Sequence, residues 1–180
     1  MYDAPIVCPQ QRVEPGWIDY NGHMNMAFYN LAFDRGLDHV YDLLDIGADY
    51  AGSGAGSCFT LEVHVSYLRE LVLDDPLRIE FRLLEWDSKR LHFFEEMYHA
   101  EDGYLAATSE QLALHVDMGS RRAAPFPDAV QERLRRMMAS HGPLPRPPQV
   151  GRVIGIPRRP AGAGPVEAGP AEAGPAEAGP

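Results

Sequence analysis

An α+β fold, with one long helix laid against an antiparallel sheet, follows from a change of period in the sequence. Between Met26 and Leu44, apolar residues recur every three or four positions. From Phe59 onward they recur at every second position, in short runs separated by turn residues. Neither element has another partner on which to bury its apolar face, so the helix must lie on the sheet.

The elements follow in order. An opening strand is expected over Ile6–Val13, and Pro15, Gly16 and the cluster Asp19-Tyr20-Asn21-Gly22 break it. In the helix, Met26, Tyr29 or Asn30, Phe33, Leu37, Val40 and Leu44 share one face. Asn21 and Asn25 both suit its N-cap, and Gly47 suits its C-cap. After a Gly/Ser-rich connection at Gly52–Ser57, Phe59, Leu61, Val63, Val65 and Tyr67 alternate with Thr60, Glu62, His64 and Ser66 as a strand. Asp74-Asp75-Pro76 turns the chain into a strand of Leu77, Ile79, Phe81 and Leu83, and Asp87-Ser88 turns it into Arg90–His99. Asp102-Gly103 is a strong hairpin signal leading into Tyr104–Val116. These four strands are expected to form an antiparallel meander. Pro127–His141 reads as a short amphipathic helix carrying Val130, Leu134, Met137 and Met138.

This places one domain at residues 1–141, with its folded part beginning near residue 5. Residues 142–159 are Pro- and Arg-rich and are expected to run extended over the surface. Residues 160–180 are nearly all Pro, Ala, Gly and Glu, with Glu-Ala-Gly-Pro repeated at Glu167, Glu172 and Glu177. Such a stretch has too little to bury to offset the entropy of ordering, so disorder is expected there.

Composition narrows the function. The 180 residues carry 45% hydrophobic and 23% charged side chains, as ordinary soluble domains do. A net charge of −10 argues against nucleic acid as the main partner, though a local basic patch for a phosphorylated cofactor stays compatible with it. No apolar run is long enough to span a membrane, and Met1–Gln10 lacks the pattern of a signal peptide. Cys8 and Cys58 have no metal-ligand or redox-motif spacing, which points to reduced thiols in a cytoplasmic protein.

Residues 17–29 read Trp-Ile-Asp-Tyr-Asn-Gly-His-Met-Asn-Met-Ala-Phe-Tyr. This resembles the Asp-x-x-Gly-His-x-Asn-x-x-x-Tyr signature of hotdog-fold acyl-CoA thioesterases of the 4-hydroxybenzoyl-CoA thioesterase type, carried here by Asp19, Gly22, His23, Asn25 and Tyr29. The resemblance covers about residues 5–118. It implies a five-stranded antiparallel sheet wrapped around one long helix and a homodimer or homotetramer. It also implies hydrolysis of an acyl-CoA thioester with no cofactor beyond the coenzyme A of the substrate. Many members carry a second Asp where this chain has Trp17, but the family's catalytic carboxylate is the later one, Asp19 here. The blocks Lys89-Arg90-Leu91-His92-Phe93-Phe94 and Leu114-His115-Val116-Asp117 are similar to a narrower group that acts on betainyl-CoA in carnitine breakdown.

The chemistry fits the residue types. A carboxylate at Asp19 can activate water as general base or attack the thioester directly. It precedes a helix whose first N–H groups are unpaired and sit at the positive end of the dipole, where they can bind an oxyanion. Gly22 allows close backbone approach, and the resemblance puts the oxyanion donor near Met26. Asp-x-Asn-Gly is good turn chemistry by itself, and only the whole signature favours a catalytic Asp19. His23 suits a supporting place in the loop, and Asn25 suits either water orientation or capping. Tyr29 fits packing better than chemistry.

Glu62 and His64 are candidates for an acyl pocket shared with a neighbouring subunit, set against a solvated strand face. Lys89, Arg90, Arg121 and Arg122 are candidates for the CoA phosphates, set against plain surface charge. Trp17, Tyr20, Phe28 and Trp86 are candidates for an aromatic cage around a quaternary ammonium. His92, His115 and Asp117 lack metal-ligand spacing, and no metal is expected. Two other functions compete. A hotdog hydratase would carry Asp-x-Asn-Pro-x-His, which this chain approaches without the Pro and with the His one residue early. A non-catalytic acyl-CoA-binding module would not need Asp19 and Gly22.

Overall fold

The computed structural model describes residues 1–156 and contains one long helix packed on an antiparallel sheet. The Glu-Ala-Gly-Pro repeat lies outside the described residues.

The elements run β1 (Ile6–Val7), β2 (Gln11–Arg12), a 3-10 turn (Pro15–Trp17), α1 (Met26–Leu43), α2 (Ala48–Gly52), β3 (Gly56–Tyr67), β4 (Pro76–Trp86), β5 (Arg90–His99), β6 (Leu105–Asp117), β7 (Arg122–Ala123) and α3 (Asp128–His141). The expected opening strand is split in two. Pro9, in the gap between β1 and β2, has no N–H to give to a ladder.

The sheet order is β1-β4-β5-β6-β3, with β2 also on β4 and β7 on β6, so among the described residues seven strands replace the five expected. The meander holds for β4, β5 and β6 but not for β3, which pairs with β6 at the far edge. The outer edge of β4 is already taken by β1 and β2, so β3 must cross to the other side.

Two features of α1 position it. Asn25 caps its start, with its side-chain oxygen accepting from the Ala27 N–H at 3.0 Å. Gly36 lets it lie close on the sheet, because a Cβ there would stand 3.2 Å from Ile79 Cγ2. The helix buries Tyr29, Ala32, Phe33, Gly36, Leu37 and Val40. Met26, expected on that face, is 64% exposed at the helix start. The expected C-cap is also corrected. Asp45 takes the left-handed conformation with φ +57°, and Gly47 instead precedes α2.

The helix-facing side of the sheet is apolar, with Ile79, Phe81, Leu83, Leu91, Phe93 and Met97 buried. The opposite side is charged and paired, as in Arg82 with Glu96 at 3.5 Å and His92 with Glu110 at 2.8 Å. Residues 142–156 run along this side without helix or strand. Arg82 donates to Pro145 O, and the Gly151 N–H donates to Glu110 Oε2 at 2.7 Å. α3 extends the helical layer, with Arg133 paired to Asp45 at the end of α1. A bulge in β3 between Thr60 and Glu62 leaves Leu61 out of the ladder. The bulge shifts the alternation by one residue, so the apolar positions on either side of it no longer share a face.

Candidate active site

The signature residues form a tight turn that closes on itself. The Asp19 N–H donates to His23 O at 3.1 Å, and the Gly22 N–H donates to Asp19 O at 3.0 Å. Asp19 Oδ1 accepts from the Asn21 N–H at 2.8 Å. Gly22 has φ +82°, where a side chain costs roughly 1–2 kcal/mol. Beyond the turn, Met24 N–H donates to Leu71 O at 2.7 Å and Asn25 N–H to Trp17 O at 2.9 Å, which fixes where α1 begins.

The start of α1 leaves one donor free. The Ala27 N–H goes to Asn25 Oδ1, and the Phe28 N–H goes to Asn25 O at 3.0 Å. The Met26 N–H has no acceptor among the described residues, and it stands at the positive end of an 18-residue helix.

This donor and the Asp19 carboxylate border one cleft of about 470 Å³, lined also by His23, Tyr29, Tyr67 and Arg69. The Asp19 side chain is 14% exposed, and His23 Nδ1 is 3.9 Å from Asp19 Oδ1, beyond hydrogen-bond reach. The Tyr67 hydroxyl donates to Met26 O at 3.2 Å, and the Tyr29 and Tyr67 rings meet edge to face at 5.2 Å. Burial raises both phenols, Tyr29 to about 12, so they stay protonated donors at neutral pH.

Of the residues picked out from the sequence, Asp19, Tyr20, His23, Asn25 and Met26 line this cleft, and Gly22 shapes its turn. Others fall elsewhere. Trp17 is buried, stacked on Phe28 at 5.7 Å, with the Arg35 guanidinium 5.1 Å over its ring. The Trp17 ring is therefore covered within its own chain, and the aromatic cage does not assemble among the described residues. Trp86 lines a separate recess with Arg90, while Tyr20, at the rim of the Asp19 cleft, is almost fully exposed. Arg90 is held by Asp87 through two hydrogen bonds of 2.8 and 2.6 Å. Lys89 stands beside it on the same turn, outside the cleft. Glu62 and His64 share a recess with His92 and Glu110, apart from the Asp19 cleft of their own protomer.

Tyr67, Arg69 and Glu70 line the cleft without having been singled out as site residues. Their only signal was position at or directly after the end of a strand, and it takes the Met24–Leu71 hydrogen bond to bring them to the turn. Arg69 lies 4.0 Å over the Tyr104 ring and is the basic side chain of this cleft. Among the described residues no group of three or more His, Cys, Asp or Glu side chains is placed to hold a metal ion. Burial pushes the Cys8 and Cys58 thiols up to about 12, which removes both as nucleophiles. No described helix is long and apolar enough to cross a membrane.

Comparison with known proteins gives a consistent picture. The model of the thioesterase-like superfamily matches residues 13–134. A betainyl-CoA thioesterase of Pseudomonas aeruginosa is 36% identical over 156 residues, which cover 87% of this chain and 94% of that protein. An L-carnitine dehydrogenase/betainyl-CoA thioesterase of Rhizobium meliloti is 36% identical over 156 residues, but these span only 31% of that longer protein. Among solved structures, a Staphylococcus aureus protein in complex with CoA superposes with a TM-score of 0.80 at 30% identity, over 87% of this chain and 98% of that one.

Proposed function

The chain belongs to the thioesterase-like superfamily and is a hotdog-fold acyl-CoA thioester hydrolase, and we propose that its chemistry runs in the cleft between Asp19 and Met26. The observation that carries this reading is the unpaired Met26 N–H at the positive end of α1, in the same cleft as the Asp19 carboxylate.

The thioester carbonyl oxygen sits on the Met26 N–H. The Asp19 carboxylate either takes a proton from an attacking water or itself attacks the carbonyl carbon, with water then cleaving the anhydride. In both routes negative charge grows on the carbonyl oxygen, where an oriented N–H and the helix dipole stabilise it; one such donor is worth roughly 3–4 kcal/mol in other enzymes. The C–S bond breaks, coenzyme A leaves as thiolate and takes up a proton, and the free acid departs. Asn25 acts as helix cap, which leaves Met26 as the free donor. No cofactor or metal enters this scheme. Arg69, rather than Lys89 or Arg90, is the cation at the cleft for the CoA phosphates.

The acyl group we assign is betainyl, supported by the 36% identical Pseudomonas aeruginosa relative. The active form we assign is a homodimer. Support comes from β3, a 12-residue strand that among the described residues pairs only with β6 and exposes Phe59, Leu61, Val63 and Tyr67 at the sheet edge. An apolar open edge of this length is a pairing surface. Two unpaired thiols fit a cytoplasmic setting.

Thiol release from a panel of acyl-CoAs, run with wild type and Asp19→Asn, tests the reading. Release by wild type that collapses in the variant is expected. Equal release by both proteins would remove the role given to Asp19.

A further inference from the structure

A second groove opens along α1, beside the edge strand. It measures about 300 Å³ and is lined by Asn30, Leu31, Asp34, Thr60, Val63 and Gln111. Its wall hides an unusual group. Glu95 is fully buried on β5, on the same face of the sheet as Leu91, Phe93 and Met97. Gln111 donates from its amide to Glu95 Oε2 at 2.9 Å and to Ser109 Oγ at 3.0 Å, while Glu95 Oε1 has no partner among the described residues. A buried carboxyl with an orphan oxygen lowers stability and calls for a ligand or another explanation.

We propose that this groove, with Asp34 in it and Glu95 behind Gln111, receives the cationic head of the acyl group and makes the enzyme selective for quaternary ammonium thioesters. The inference rests on the thioesterase reading and on a dimer through β3. A quaternary ammonium has no N–H to donate, so it is recognised by negative charge and by apolar contact with its methyl groups. Asp34 offers the charge, and Leu31 and Val63 offer the contacts. The aromatic cage that would otherwise serve does not form among the described residues, because Trp17 is buried against Phe28 and Arg35. Burial and the nearby Asp34 keep the Glu95 carboxyl protonated well above the usual carboxylate range. An arriving cation draws that proton off to solvent and meets a second negative charge.

The groove serves the Asp19 cleft of a second copy. Along a single helix, Asp34 lies eight residues after Met26, about 12 Å away. The ammonium of a betainyl group is only one carbon removed from its carbonyl and cannot bridge that gap. An antiparallel pair of β3 edges centred near Val63 sets Tyr67, at one cleft, beside Phe59 and Thr60 of the second copy. That brings the second copy's groove to the cleft.

The test compares betainyl-CoA with its neutral isostere 3,3-dimethylbutyryl-CoA, in which carbon replaces nitrogen. Kinetics are measured for wild type, Asp34→Asn, Asp34→Glu and Glu95→Gln, and binding of the matching non-hydrolysable thioethers is measured by calorimetry. Wild type should favour the cation, and Asp34→Asn should lower the cation-to-neutral ratio of kcat/KM roughly 10–100-fold. Glu95→Gln should lower the ratio as well, and Asp34→Glu should restore part of it. The thioether affinities should follow the same order. A ratio unchanged in Asp34→Asn, with both esters still cleaved, overturns the inference and leaves the thioesterase reading standing. Failure of wild type to cleave either ester, or any other acyl-CoA, overturns both.

Discussion

The Nδ1 of His23 stands 3.9 Å from Asp19 Oδ1, while the same oxygen accepts a hydrogen bond from the Asn21 N–H at 2.8 Å. The carboxylate is thus oriented by backbone and not by the imidazole. Asp19→Asn should lower kcat by roughly 10²–10⁴-fold, the range for loss of a general base. His23→Ala should lower it by at least an order of magnitude less. Single-turnover thiol release measures both. Equal losses would mean that the imidazole takes part in the chemistry.

Leu61 lies at the bulge of β3, the edge strand of the sheet among the described residues, and is 54% exposed. Leu61→Asp puts a charge where two β3 edges would meet. Light scattering should show the mass falling from twice that of one chain to that of one chain, with thiol release lost alongside. A variant that keeps the wild-type mass would rule out β3 as the dimer edge.

Glu95 gives the fold a definite pH dependence. Burial first, and the charge of Asp34 second, raise its pKa well above 4.5, against the opposing hydrogen bond from Gln111. A raised acid favours the protonated folded state. Its contribution is therefore complete below pH 4.5 and declines as pH rises from there toward the folded pKa, by up to about 1.4 kcal/mol per pH unit. Glu95→Gln does not titrate, so its advantage over wild type in urea unfolding should grow from pH 5 to pH 8. A constant difference would show that Glu95 does not change protonation on unfolding.

His141 acts in the opposite sense. Its Nδ1 accepts from the Leu83 N–H at 2.9 Å, and Nε2 donates to Asp3 O at 2.8 Å, so the ring is neutral in the fold. Burial holds its pKa below 6.5, with the Asp3 carbonyl opposing and the Arg82 charge adding to the shift. The stability it lends is whole above pH 6.5 and is lost as pH falls below that value, because a protonated Nδ1 can no longer accept from Leu83. His141→Asn should therefore flatten the loss of stability between pH 7 and pH 5. An unaltered profile would place the titrating group elsewhere.

The sequence by itself determined the main elements and the signature turn. Helix α1, strands β4 to β6 and helix α3 were legible because their periods of 3.6 and two are written in consecutive residues. The turn was legible because Asp19, Asn21, Gly22 and Asn25 act on backbone within a few positions of themselves. The tertiary structure alone decided what depends on distant partners. Whether β3 lies next to β4 or β6 turns on β1 and β2 having taken the edge of β4. The bulge at Leu61 turns on the ladder with β6, and the recess that gathers Glu62 and His64 with His92 and Glu110 turns on the pairing of β3, β5 and β6. Trp17 left the ligand's reach because it is buried, with Phe28 and Arg35, eleven and eighteen residues later, packed on its ring. Glu95 read as one more residue of an alternating strand, and only the packing of α1 over β5 and β6 buries it beside Gln111. Local backbone preference is a property of neighbours in the chain, whereas desolvation and strand pairing depend on what packs from far away in it.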